Sequence, residues 1–144
     1  NNLLVNLDIK ETTHLETIIP IAEKFSLTDR IFYTGIEEKD VETVKRDTPE
    51  IKYYLNVSIN KAKIYDEAYI RSLADLVLDC GAVGLNISHK NASKKMVDIF
   101  HQSNLEVSLW TVNKEFDMHR VIALGCDNIT TRQPAKLIEI IKSK

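Results

Sequence analysis

Asp8 and Lys10 are the first residues whose types and spacing could do chemistry. They close the run Leu3-Leu4-Val5-Asn6-Leu7-Asp8-Ile9-Lys10, whose alternation predicts a strand with Leu3, Val5, Leu7 and Ile9 on one face and Leu4, Asn6, Asp8 and Lys10 on the other. A carboxylate and an ammonium at the same end of the same strand face suit a metal and a phosphate. The same pair also reads as a plain salt bridge on a half-exposed strand, and one carboxylate alone does not make a metal site.

Later stretches repeat the design. Ile51, Tyr53, Leu55 and Val57 alternate with Lys52, Tyr54, Asn56 and Ser58; Val83, Leu85 and Ile87 with Gly84, Asn86 and Ser88; Leu105, Val107 and Leu109 with Glu106, Ser108 and Trp110. Ile31 to Thr34 and Asp127 to Thr131 read as shorter strands. Between them the apolar spacing becomes helical. Thr13-His14-Leu15-Glu16 has the form of a capping box before Leu15, Ile18, Ile19, Ala22 and Phe25, with Pro20 kinking that helix or marking its first turn. Val41 and Val44 follow an acidic helix start at Glu37, Glu38 and Asp40; Tyr69, Leu73, Leu76, Val77 and Cys80 run up to Gly81; Met96, Val97 and Phe100 form the next stripe. Val121, Ile122 and Leu124 end at Gly125, and Pro134 opens a last helix with Leu137, Ile138 and Ile141. Six strand-plus-helix units at intervals of roughly 20 to 30 residues imply parallel strands joined by helices.

In an open sheet covered by helices on both sides the strands would be apolar on both faces. Here one face of nearly every strand turns polar toward its C-terminal end, which places it on the inside of a β/α barrel, at the mouth where active sites are built. The residues expected to converge there are Asn6, Asp8, Lys10, Thr34, Asn56, Ser58, Asn86, Ser88, Trp110 and Thr130. His14 and His89 fall in loops on the same side, whereas His101 and His119 fall within helices. Lys10, the His89-Lys90 loop and Arg132 would all stand near strand C-terminal ends and draw a small anion there. Trp110 reads either as a pocket wall or as core.

Composition removes other classes. The 144 residues carry a formal net charge of -2, with 44% hydrophobic and 28% charged residues, which gives no electrostatic case for nucleic acid. No apolar run has the length of a membrane-spanning helix. Cys80 and Cys126, at predicted helix ends, read as free thiols. The length fits one domain, and the start at Asn1-Asn2, without methionine and directly before a strand, reads as the start of a fragment.

The motifs resemble those of glycerophosphodiester phosphodiesterases. Val5-Asn6-Leu7-Asp8-Ile9-Lys10 resembles the family strand with a Glu-x-Lys pair, Trp110-Thr111-Val112-Asn113 matches its W-T-V-N, and the run from Gly125 to Pro134 looks like its closing G-V-D-G-I-x-T-D-x-P. The resemblance covers essentially the whole chain. It implies a TIM barrel that uses a divalent cation, calcium or magnesium, to hydrolyse glycerophosphodiesters to glycerol 3-phosphate and an alcohol. Carried over by position, Asp8 stands where a glutamate binds metal, Lys10 where a catalytic lysine contacts phosphate, and Trp110 on the pocket wall.

The chain departs from the pattern in three places. Asp8 is one methylene shorter than glutamate, Arg132 replaces an acid, and Thr34-Gly35 replaces Ser-Phe. The family's first two strands carry an H-R-G motif, a Glu-x-Asp metal pair and a second histidine; the sequence has no H-R-G, and its two Glu-x-Asp runs, Glu38-Lys39-Asp40 and Glu115-Phe116-Asp117, fall in predicted helical stretches, not on a strand. The expectation is therefore an α/β, TIM-barrel-derived repeat, a single incomplete barrel domain over 1–144 that corresponds to six of eight units. Two functions fit it. One is the C-terminal portion of a metal-dependent phosphoric diester hydrolase, inactive as this chain alone and binding a divalent cation weakly. The alternative is a noncatalytic binding or assembly module. Either would take a small phosphodiester or phosphate ligand and form a homo-oligomer through exposed sheet edges.

Overall fold

A computed structural model describes residues 3–143; Asn1 and Asn2, and with them the expectation of a fragment start, lie outside the described residues. Six strands form one parallel sheet in sequential order: β1 (Val5–Asp8), β2 (Ile31–Ile36), β3 (Lys52–Asn56), β4 (Gly84–Ser88), β5 (Glu106–Trp110) and β6 (Asn128–Ile129). Each is followed by a helix: α1 (Ile18–Lys24), α2 (Val41–Asp47), α3 (Glu67–Cys80), α4 (Lys94–Gln102), α5 (Glu115–Leu124) and α6 (Pro134–Lys142). Sequential parallel order with a helix on every connection is the β/α-barrel arrangement. Among the described residues β1 and β6 do not pair with each other, so the sheet is open.

The alternation sorts the two faces as expected. Leu55, Leu85, Ile87, Val107 and Leu109 are fully buried in one core with Val44, Ile70, Val77, Met96, Phe100, Met118 and Val121 from the helices. Burial of that face is the main force holding helices to sheet. Tyr53 and Tyr54, adjacent on β3, are both buried but on opposite faces. Tyr53 donates its hydroxyl to the Cys80 carbonyl at the end of α3, and burial pushes its pKa up to about 12. Tyr54 meets Phe32 edge-on at 5.7 Å and donates to Glu106, filling the lower part of the concave face.

Three local expectations are corrected. At Thr13–Glu16 no capping box forms: His14 takes a left-handed conformation (φ 62°), and a 3-10 turn over Leu15–Thr17 leads into α1 with Pro20 in its first turn. The reciprocal box stands instead at Glu37 and Asp40. Phe25 is 61% exposed, and α6 buries Leu137 and Ile140 in place of Ile138 and Ile141. Gly81 and Gly125 end α3 and α5 with φ of 73° and 81°. Both cysteines are free.

Candidate active site

The concave face is polar across all six strands. Thr34 on β2 donates to Asn6 Oδ1 on β1 at 3.0 Å, Asn86 Nδ2 on β4 donates to Asn56 Oδ1 on β3 at 2.7 Å, and Asn128 Nδ2 on β6 donates to Ser108 Oγ on β5 at 2.8 Å. These pairs make a belt of amides and hydroxyls where a barrel more often packs branched aliphatics. Above the belt, at the strand C-terminal ends, two cavities adjoin. One, of about 330 Å³, is lined by Asn6, Asp8, Lys10, Thr34, Thr130 and their neighbours. The other, of about 590 Å³, includes Glu37, Glu38, Ser58 and Ser88; Asn56, Asn86 and Trp110 belong to both. All ten residues of the sequence-derived ring line one or the other.

Asp8 and Lys10 meet at 2.6 Å with side chains 55% and 80% exposed. An ion pair this open contributes little to stability, so a ligand could part it at small cost. Gly35 makes the geometry at Asp8 possible. The pairing of β2 with β3 slips between Tyr33 and Ile36, Gly35 takes φ 86°, and its N–H turns to Asn56 Oδ1 at 3.2 Å. Trp110 is 39% exposed at the top of β5, a cavity wall in place of core.

The remaining candidates stand apart. His89, expected on the mouth, is buried in a 3-10 turn (His89–Asn91) after β4 and lines neither cavity. Arg120 on α5 donates to His89 Nδ1 at 2.9 Å and to the His89 carbonyl at 2.8 Å, with Asp117 3.7 Å from the same ring nitrogen. Arginine only donates, so Nδ1 is an acceptor and the imidazole is neutral. Burial lowers the His89 pKa, against the pull of Asp117. The ring is thus held by α5. His14 is exposed beside Glu16 at 3.3 Å. Arg132 is exposed in the loop after β6, where its N–H donates to Asn113 Oδ1 at 2.9 Å.

Sequence reasoning gave no role to several residues that hold the mouth or brace the opposite, N-terminal end of the sheet. Asn113 pins the loop after β6, and Asp127 accepts from Val107 N–H at 2.8 Å and faces His101 Nε2 at 2.9 Å, tying β5 to α4. Their places in the W-T-V-N and closing motifs were the available signal. Arg120 carried none, since helix and loop meet only in the fold.

A divalent cation is a poor match to this donor set alone. Hard cations take six or more oxygen ligands, and among the described residues no group of three or more His, Cys, Asp or Glu side chains could hold a metal. Asp8 offers one carboxylate, already facing an ammonium.

The model of the glycerophosphoryl diester phosphodiesterase family matches residues 6–136. The chain belongs to that family. A curated relative, the glycerophosphodiester phosphodiesterase of Caldanaerobacter subterraneus subsp. tengcongensis, is 23% identical over 146 residues, covering 98% of this chain and 56% of the relative. A phosphodiesterase from Oleispira antarctica, solved in complex with its product sn-glycerol-3-phosphate, superposes with a TM-score of 0.70 at 19% identity, over 98% of this chain and 56% of that one. A glycerophosphodiester phosphodiesterase from Parabacteroides distasonis gives a TM-score of 0.70 at 17% identity, over 98% and 57% of the two chains. The chain thus spans little more than half the length of the family members it matches. Its six parallel units share their β/α-barrel fold.

Proposed function

We propose that this chain is the phosphate-binding portion of a metal-dependent glycerophosphodiester phosphodiesterase, and that on its own it binds phosphate esters without hydrolysing them. The observation that carries this reading is the exposed Lys10 ammonium at the rim of a polar cavity walled by Trp110, at the C-terminal ends of parallel strands. Lys10 would hold a non-bridging phosphate oxygen as a point charge, and Trp110 would cover the carbon skeleton of the ester. Arg132 would add long-range attraction from the loop after β6. Asp8 would lend one ligand to a calcium or magnesium ion whose other ligands come from outside the described residues. His89 has no part in substrate contact in this reading, because Arg120 occupies its ring.

Hydrolysis needs a positioned acid and base, each contributing orders of magnitude; no histidine lines either cavity, and of the carboxylates there Asp8 is paired with Lys10 and Glu37 with Lys39. The test is a titration of the purified chain with sn-glycerol 3-phosphate, with and without calcium or magnesium, followed by amide chemical shifts, beside an assay for glycerol 3-phosphate release from a glycerophosphodiester. The expected result is a set of shifts around Lys10 that strengthens with the cation and is lost in Lys10→Ala, with release at background. Shifts confined to surface lysines elsewhere, or metal-dependent release that Lys10→Ala abolishes, would overturn the proposal.

A further inference from the structure

Charge divides the rim of the mouth. The connections after β1 and β2, residues 9–14 and 37–40, carry Glu11, Glu37, Glu38 and Asp40 against Lys10 and Lys39. Those after β3, β4 and β5, residues 57–66, 89–93 and 111–114, carry Lys61, Lys63, Lys90 and Lys114 against Asp66 alone. Asp66 is already engaged, its Oδ1 accepting the Tyr69 N–H at 3.1 Å to cap α3. The carboxylates in the helix turns behind are engaged too: Glu67 with Arg71 and Lys95, Glu115 with Lys136, Asp117 with Arg120. The four lysines have no ion-pair partner among the described residues.

The three basic connections make one surface. Ser93 Oγ, after β4, donates to the Ile64 carbonyl, after β3, at 2.9 Å, and Arg120 of α5 donates to the His89 carbonyl at 2.8 Å. On this surface stand Tyr65, 70% exposed, and Phe116, in the first turn of α5, 79% exposed. They are the two most exposed large hydrophobic side chains among the described residues. An isolated apolar side chain in water needs no explanation. Two aromatic rings among uncompensated ammonium groups match both layers of a lipid surface, the rings its acyl boundary and the ammonium groups its anionic headgroups. A formal net charge of -2 gives the chain no long-range pull toward a soluble polyanion, so contact here needs the rings as well as the lysines.

We infer that this arc of the rim docks the chain on an anionic lipid surface. Tyr65 and Phe116 enter the headgroup boundary, and Lys61, Lys63, Lys90 and Lys114 meet lipid phosphates. The mouth then faces the lipid, with Trp110 just behind the contact. Docking of this kind does not depend on phosphate binding at Lys10.

The test is cosedimentation of the purified chain with vesicles of phosphatidylcholine alone and with equimolar phosphatidylcholine and phosphatidylglycerol. The anionic vesicles should bind roughly tenfold more tightly or better, an advantage that fades as salt is added. Lys61→Gln, Lys63→Gln and Lys114→Gln should each weaken that binding by about fivefold, and Phe116→Ser by about tenfold. Trp110, the only tryptophan in the chain, should shift its emission to the blue with anionic vesicles, a readout on the wild-type chain that stands if a variant fails to fold. Excess sn-glycerol 3-phosphate at matched ionic strength should leave the vesicles bound, which separates this outcome from the fate of the Lys10 reading. Equal binding to both kinds of vesicle, release by glycerol 3-phosphate, indifference to Phe116→Ser, or no binding would overturn the inference. Equally tight binding to polyglutamate, which offers charge without an apolar phase, would overturn it in favour of an acidic macromolecule.

Discussion

Gly35 is the residue on which the geometry of Asp8 depends. A Cβ built there would fall 2.2 Å from the Ile9 carbonyl oxygen and 2.8 Å from Asp8 Oδ1, and the backbone φ of 86° is one that side chains rarely adopt. Backbone at Ile9 has no room to give, because its N–H is already bonded to the Thr34 carbonyl at 2.8 Å. Gly35→Ala is therefore expected to lower unfolding free energy by about 1–3 kcal/mol, measured by urea denaturation. It should also displace the Asp8 carboxylate and change the cation dependence of phosphate binding. Unchanged stability would show that the slip between β2 and β3 tolerates a side chain. Asn56 has the complementary role, since one oxygen holds the Gly35 N–H and the Asn86 amide together.

Between elements, the contact of α5 with the turn after β4 decides the position of Ser88 and Asn91, which flank His89 and line the larger cavity. Arg120 clamps ring and carbonyl of the same histidine, and the charged groups facing that ring are Asp117, Arg120 and Lys90. The His89 pKa is lowered in the fold, chiefly by burial. The unfolded chain then binds a proton more readily, so this group's contribution is fully present above the unfolded value, about 6.5. It is lost as pH falls through the lower folded value. Wild-type stability should thus decline on acidification below about pH 6.5 with a component that His89→Gln lacks, seen as the difference between two unfolding series across pH. Parallel curves would mean that the histidine accepts its proton in place, with Asp117 compensating. A second readout is local: Arg120→Gln should shift the amide signals of Ser88 and Asn91 at neutral pH.

At the scale of the whole molecule, an open sheet leaves the outer backbone groups of β1 and β6 without a strand partner among the described residues. Apolar surface accompanies both edges: Leu3 and Leu4 are each 66% exposed ahead of β1, and Ile138 and Ile141 on α6 are 50% and 52% exposed beside β6. Unpaired edges, even short ones, promote association when apolar surface lies beside them. The purified chain is expected to form a homodimer or larger assembly, so its sedimentation coefficient should rise with concentration from the dilute range upward. A monomer throughout, with amide protons of both edge strands protected from exchange, would show that the chain covers its own edges.

The sequence alone determined the periodic part of this protein. Alternation along Leu3–Lys10 and its successors named the concave residues, because a strand's period of two sends every second side chain to the same face whatever the sheet does around it. Helical spacing located Val44, Val77, Met96 and Phe100 in the core for the same local reason. What the sequence could not hold was any property that depends on two separate elements meeting. The His89 ring turned to Arg120 because α5 packs against the turn after β4, and no local signal records that contact. Ile140 replaced Ile141 in the core because the neighbours of α6 select its buried side, its own apolar residues being broad enough to allow either. The Asn86 amide took its orientation from a slip in strand register at Gly35, a geometry that exists only once β2, β3 and β4 are side by side.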